Sequence, residues 1–166
     1  SGLHSNGYSL ARQIVFQLAQ LQLTDVEPSS GQTVQELLLE PTRIYAKAIK
    51  SVLSHYKVKN VIHGIAHITG GGLPGNVPRV LPDTLQADID GTSWKLPAVF
   101  GWLMKTGGVP RDDLIRTFNC GIGMVVVVAP THEAQALQLL RAAGETAWSI
   151  GRISRREPDQ LQTIVI

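Results

Sequence analysis

The sequence predicts an α+β fold: a mixed β-sheet of about four or five strands with helices packed on its faces, in a layered α/β/α arrangement. Three observations predict it. Segments with apolar residues at helical spacing interleave with short β-branched runs along the whole chain. The most hydrophobic run, GMVVVV over 123–128, has the unbroken apolar character of a central strand buried on both faces. The 166 residues, 43% hydrophobic and 17% charged, suit a single domain spanning 1–166.

The elements follow in order. Residues 9–23 carry Leu10, Ile14, Val15, Leu18 and Leu21 at the spacing of a helix with one buried face. Residues 24–33, with Pro28, Ser29, Ser30 and Gly31, read as an exposed loop. A short helix over 34–39 ends at Pro41. A second amphipathic helix over 44–56 places Ile44, Ala48, Val52 and Tyr56 on one face. Residues 58–68 form a strand. After it, 73–81 has room only for a short helix, because Pro78 and Pro82 interrupt it. Residues 86–90 alternate as a strand that stops at Asp90–Gly91. Pro97 opens a helix to Thr106, with Gly107 as its stop signal, and a further short helix covers 111–118 behind Pro110. Beyond the 123–128 strand, Thr131 caps a helix to Ala143 with Ala134, Leu137 and Leu140 in one stripe. Strands over 147–153 and 163–166 complete the sheet.

Composition excludes several classes. A formal charge of +2 is too small to argue for nucleic acid or a membrane surface. Arg152, Arg155 and Arg156 are the one tight basic group and read as solvated surface, and the aromatic residues form no stacking platform. The single cysteine, Cys120, allows no internal disulfide and has no metal-ligand spacing, so a buried inert thiol is expected. No apolar run approaches the ~20 residues that a bilayer crossing needs, and no signal peptide opens the chain. A cytoplasmic protein is expected. The start at SGLHSN, without an initiator methionine, leads to the expectation that residues precede Ser1.

The chemistry-bearing residues fall in two places. In VIHGIAHITGGGLPGNVPR (61–79) an apolar strand runs into Thr69 and three glycines, followed by Asn76 and Arg79. Three adjacent residues without Cβ let backbone amides converge on an anion, and a helix starting there adds to the attraction. Arg79 supplies a guanidinium to the same phosphate or carboxylate. The alternative is a tight strand-to-helix turn with no ligand. The second place is SGLHSNGYSLAR (1–12), where Ser5 and Asn6 are N-cap types and His4 is a titratable imidazole suited to bind phosphate or accept a proton. His63 and His67 stand four apart, but on a strand that separates them by ~13 Å, too far to share one ion; His67 is expected to hydrogen-bond the glycine loop. Asn119, Gly121 and Gly123 either bring backbone close to a ligand or mark a bulge. No Walker-type loop occurs, and the acidic residues do not cluster as magnesium ligands.

Four segments in order, GLHSNGYSLAR, PTRIYAK (41–47), AHITGGG-x-x-x-N-x-PRVLP (66–82) and RTFNCGIGM (116–124), closely resemble the C-terminal domain of the phosphoribosylformylglycinamidine cyclo-ligases, or AIR synthetases, of purine biosynthesis. The likeness covers the chain from Gly2 to about Ile153. One departure is Gly75, where the family usually carries an acidic residue. The resemblance implies the AIR synthetase C-terminal fold and an ATP-dependent ligase closing formylglycinamidine ribonucleotide into aminoimidazole ribonucleotide. It also implies that ATP and Mg2+ are held mainly by an N-terminal domain not in this chain, and that the full-length protein is a homodimer. The isolated fragment is then expected to be inactive. For the site, the expectation is His4 as the catalytic residue, with Ser5, Asn6, Thr69, Gly70, Gly71, Gly72 and Arg79 binding the ribonucleotide substrate. No metal ligand is expected in this chain, and neither nucleic acid nor membrane as a partner. Two alternatives stand beside this: a relative of the thiamine-phosphate kinase or selenophosphate synthetase type, or a non-catalytic fragment that mediates domain association.

Overall fold

The computed structural model describes residues 1–56 and 61–166. The chain divides into two compact units, one made of Ser1–Arg43, Ile68–Asn76 and Lys95–Gly123, the other of Ile44–His67, Val77–Trp94 and Met124–Ile166.

In the first unit, α1 (Tyr8–Arg12) runs directly into a π-helical turn, Gln13–Leu18. The Ala19 amide donates to the Ile14 carbonyl five residues back at 2.8 Å, so the turn holds one residue more than an α-helical one. Ile14 and Val15 stay buried, whereas Leu18, expected to face inward, turns out to 57% exposure. The helix is also shorter than expected, because Gln20 adopts a left-handed φ of 54° and ends it. Helix α2 (Val34–Leu39) matches the expected span and starts with a reciprocal cap: the Thr33 hydroxyl accepts from the Glu36 amide, and the Glu36 carboxylate accepts from the Thr33 amide. Helices α5 (Ala98–Gly107) and α6 (Arg111–Thr117) supply the apolar centre. Phe100 and Phe118, both fully buried, meet with ring centroids 5.7 Å apart, and Leu3, Leu103 and Leu114 are buried to within 1%. Each such side chain contributes roughly 1.5–3 kcal/mol by leaving water. The short helix α4 (Gly72–Asn76) packs on α6.

The loop over 24–33, which the sequence reads as exposed, encloses Glu27, whose side chain is fully buried. An isolated bridge between Val26 and Thr33 closes it. The Glu27 carboxylate accepts from the Ser29 amide and hydroxyl and from the Ser30 amide, at 2.6–2.8 Å. Burial alone would raise its pKa, but these hydrogen bonds hold it below the ordinary glutamate value.

The second unit contains α3 (Ala46–His55), α7 (Glu133–Ala142) and the five strands found among the described residues. Ala48 and Val52 of α3 are buried as expected, while Ile44 lies before the helix and is 84% exposed. The expected strand over 58–68 is seen as β1 (Ile62–His67); its first residues, Val58 to Asn60, lie outside the described residues. The five strands form two sheets and not one. Strand β1 pairs antiparallel with β3 (Met124–Val128), Ile65 opposite Val126. Strand β2 (Leu85–Ile89) lies between β4 (Gly151–Arg155), antiparallel, and β5 (Thr163–Val165), parallel. Between β1 and β2 the chain returns against β1 as a 3-10 turn, Val77–Val80, whose Val80 packs on Gly64. Pro78 and Pro82 have no amide to give, so this segment builds no ladder.

The expectation that the 123–128 run is a doubly buried central strand is corrected: β3 is half-buried throughout and, among the described residues, pairs only with β1. Thr131 does not cap α7, because a 3-10 turn, Pro130–His132, precedes the helix and His132 takes the cap position. Among the described residues no helix is long and apolar enough to cross a membrane.

Candidate functional site

Strand β1 and Ile68 deliver the chain to Thr69–Gly72, where the backbone turns sharply. Gly71 and Gly72 have φ of 95° and 58°, values that side-chain-bearing residues rarely adopt. At Gly72 space decides as well, since a Cβ there would overlap the carbonyl oxygens of Ile115 and Phe118 at the end of α6. Asn76, 3% exposed, organises the turn from below. Its Nδ2 donates to the carbonyls of Gly72 (2.8 Å), Gly70 (3.2 Å) and Thr69 (3.3 Å), and its Oδ1 accepts from the Thr69 hydroxyl at 3.1 Å.

This arrangement sets where the amides point. In a trans peptide the C=O and the following N–H lie in one plane and point in opposite directions, and among the described residues every peptide is trans. With three carbonyls gathered on Asn76, the amides of Gly70, Gly71 and Leu73 face away from it. Gly70 and Gly71 are exposed. Among the described residues no backbone carbonyl accepts from their amides, whereas the Gly72 amide closes the turn on Thr69 at 3.0 Å. The adjacent amides of Gly70 and Gly71 carry partial positive charge that suits an anion. The attraction comes from the turn itself, because α4 has only five residues.

The N-terminal segment sits in the same unit. His4 and Ser5 both have left-handed φ, 51° and 62°, followed by Gly7 at 63°. His4 is 4% exposed, and its Nε2 accepts from the Gly2 amide at 3.2 Å. Ser5 is exposed and Asn6 half-buried, the Asn6 amide closing the turn on the Leu3 carbonyl at 3.0 Å. The corner after α6 ties this segment down. Asn119, with no exposed surface, donates from Nδ2 to the Gly2 carbonyl at 2.7 Å and accepts from the Gly121 amide at 2.8 Å. The Phe118 ring fills the space a Cβ on Gly7 would need, while the Phe118 carbonyl abuts Gly72. The segments carrying GLHSNG, TGGG and FNCG thus meet at one corner, and Thr42 joins them with its hydroxyl 3.5 Å from the His4 carbonyl.

Other expected residues fall elsewhere. Arg79 is exposed on the 3-10 turn of the second unit. His67 is exposed on β1 with its ring edge-on to Tyr45, centroids 6.0 Å apart, and no hydrogen bond from it to the glycine loop is present among the described residues. Asn119 is a tether inside the protein. Cys120 is buried, and burial pushes its thiol up to about 12, only partly opposed by Arg111, so it remains a protonated, unreactive group. Among the described residues no group of three or more His, Cys, Asp or Glu is placed to hold a metal.

Sequence reasoning missed the organising role of Asn76. A signal was present: a lone amide residue between Leu73 and Val77 on a segment that turns out to be buried.

The sequence pattern of "AIR synthase related protein, C-terminal domain" matches residues 1–163. The chain is 50% identical over 163 residues to a phosphoribosylformylglycinamidine cyclo-ligase from Chromobacterium violaceum, covering 98% of this chain and 46% of that protein. It is 46% identical over 167 residues to the same-named protein of Cupriavidus pinatubonensis, covering 100% of this chain and 45% of the relative. The relative from Neisseria meningitidis serogroup C is 48% identical over 166 residues, 99% of this chain and 46% of its own length. The chain therefore spans a little under half the length of these curated relatives.

Proposed function

The chain belongs to the AIR synthase related proteins through their C-terminal domain, and from that premise we propose that it is the C-terminal part of a phosphoribosylformylglycinamidine cyclo-ligase whose glycine corner holds the substrate's phosphate. The reaction is the ATP-dependent closure of formylglycinamidine ribonucleotide to aminoimidazole ribonucleotide in purine biosynthesis. The γ-phosphoryl group of ATP passes to the formyl amide oxygen with release of ADP, and a nearby nitrogen then attacks that carbon, closing the ring as the activated oxygen leaves with the phosphate. Chemistry of this kind depends on positioning and charge neutralisation.

The observation that carries the reading is the collection of carbonyls on Asn76, which turns the amides of the exposed Gly70 and Gly71 away from it. Thr69, Gly70, Gly71 and Gly72 would hold the phosphate, and Ser5 and Asn6 would meet the rest of the ribonucleotide, with His4 behind them. Arg79 joins the proposal on sequence grounds, three residues beyond Asn76. The described carboxylates and imidazoles do not gather as ligands for Mg2+. ATP and Mg2+ belong to the remainder of a protein of the relatives' length, which would also form the homodimer, in the cytoplasm.

The test is a titration of the 15N-labelled chain with inorganic phosphate and with ribose 5-phosphate. Saturable shifts of the Gly70 and Gly71 amides are expected, with higher affinity for the ester and no cyclisation by the chain alone. Amides that ignore both probes would refute the reading.

A further inference from the structure

We propose that His4 is a positioning residue: its ring fixes Ser5 in the left-handed conformation, and Asn119 sets that ring through Gly2. The inference deepens the proposed function and rests on it in one respect, that the N-terminal loop faces the substrate.

Two successive residues with side chains, His4 and Ser5, have φ of 51° and 62°. Such a pair persists only where surrounding contacts over-determine it. Here the contacts form a chain. Asn119 is fully buried and uses both ends of its amide, donating to the Gly2 carbonyl and accepting from the Gly121 amide. Gly2 is therefore held at its carbonyl, and its own N–H reaches the His4 ring at Nε2. The Leu3 side chain, 1% exposed, anchors the far side, and the Asn6 amide closes the turn on the Leu3 carbonyl.

One consequence concerns the ring itself. A nitrogen that accepts a hydrogen bond carries no proton, so the neutral imidazole holds its proton on Nδ1. A general base needs a lone pair within reach of its substrate. The Nε2 lone pair is engaged by the protein, and the ring is 4% exposed. What the loop offers outward is Ser5, whose side chain sits at the exposed crest of the turn.

Long-range 1H–15N spectra of the labelled chain test this without any substitution: a proton on Nδ1 and a bare Nε2 are expected, and a ring protonated at Nε2 overturns the proposal. The variants His4→Gln and His4→Ala add a second test. Gln retains an oxygen that can accept from the Gly2 amide, so the Ser5 Cα and Cβ shifts should keep their left-handed values in H4Q and move to random-coil values in H4A. Ser5 shifts unchanged in H4A would overturn the positioning role. In N119D the donor to Gly2 is lost while the acceptor for Gly121 remains, and the His4 ring signals should broaden or move. Inorganic phosphate added to the same samples separates the two readings: Gly70 and Gly71 amides that do not shift, beside a His4 ring with the expected tautomer, overturn the phosphate site and support the tether.

Discussion

Replacing Asn76 by Ala tests the glycine corner most directly. The side chain is 3% exposed and donates to three carbonyls. The bonds are unequal. The one to the Gly72 carbonyl is short, at 2.8 Å, and buried, so removing the donor takes a hydrogen bond from that oxygen where water does not replace it. Losing such a bond costs about 1–3 kcal/mol. The bonds to Thr69 and Gly70 are longer, and those carbonyls lie near solvent, so water replaces Asn76 there at little cost. A total near ~2 kcal/mol follows, which in a domain of this size lowers Tm by roughly 4–8 °C.

The effect on anion binding should be larger. With the carbonyls released, their peptide planes rotate, and the Gly70 and Gly71 amides lose their common direction. Losing one charge-assisted hydrogen bond, about 1.5–3 kcal/mol, already weakens binding roughly tenfold or more. The assay pairs thermal melting with an amide-resolved phosphate titration at a temperature where the variant is folded. A folded N76A chain that binds ribose 5-phosphate as tightly as the parent, with the same Gly70 and Gly71 shifts, would refute the idea that Asn76 orients the amides.

Further outcomes are expected. Gly72→Ala combines a left-handed φ with overlap against two backbone oxygens, and should cost more than about 3 kcal/mol or prevent folding, read as loss of a cooperative melt. Gly75→Ala meets nothing within 4 Å and lies in a helix, so it should raise stability by up to about 1 kcal/mol; a lower Tm would show a contact at that position. Because the folded-state pKa of Glu27 is depressed, its contribution is fully present above the ordinary glutamate value near ~4.3 and is lost as pH falls through the lower folded value. Glu27→Gln should therefore reduce stability at neutral pH, with the gap to the parent closing in strong acid. A gap independent of pH would contradict this. Arg79→Gln should leave Tm unchanged and weaken phosphate binding about threefold to tenfold, the lower figure applying if solvent screens the charge; equal affinity would remove Arg79 from the site.

Much was legible from local pattern. Apolar spacing located the first helix, α3 and α7, and proline and glycine signals placed the ends of α2, α5 and α6 within about a residue. These features depend on neighbours in the chain, which a sequence displays directly. The misplacements share a different origin. Leu18 turns outward because a π-helical turn adds a residue, and nothing local announces that turn. The VVVV run resembles a central strand in composition, but strand pairing decides its burial, and β3 has one partner among the described residues.

By itself the sequence determined the alternation of helices and strands, the glycine corner's freedom to turn, and membership of a family through four ordered motifs. Only the tertiary structure decided that Asn76 faces the corner's carbonyls, that the His4 ring points inward, and that Asn119 and Phe118 join segments more than a hundred residues apart. The reason is directional. A hydrogen bond needs its donor and acceptor within about 3 Å and aligned, and for residues distant along the chain only the packed fold sets that distance and angle.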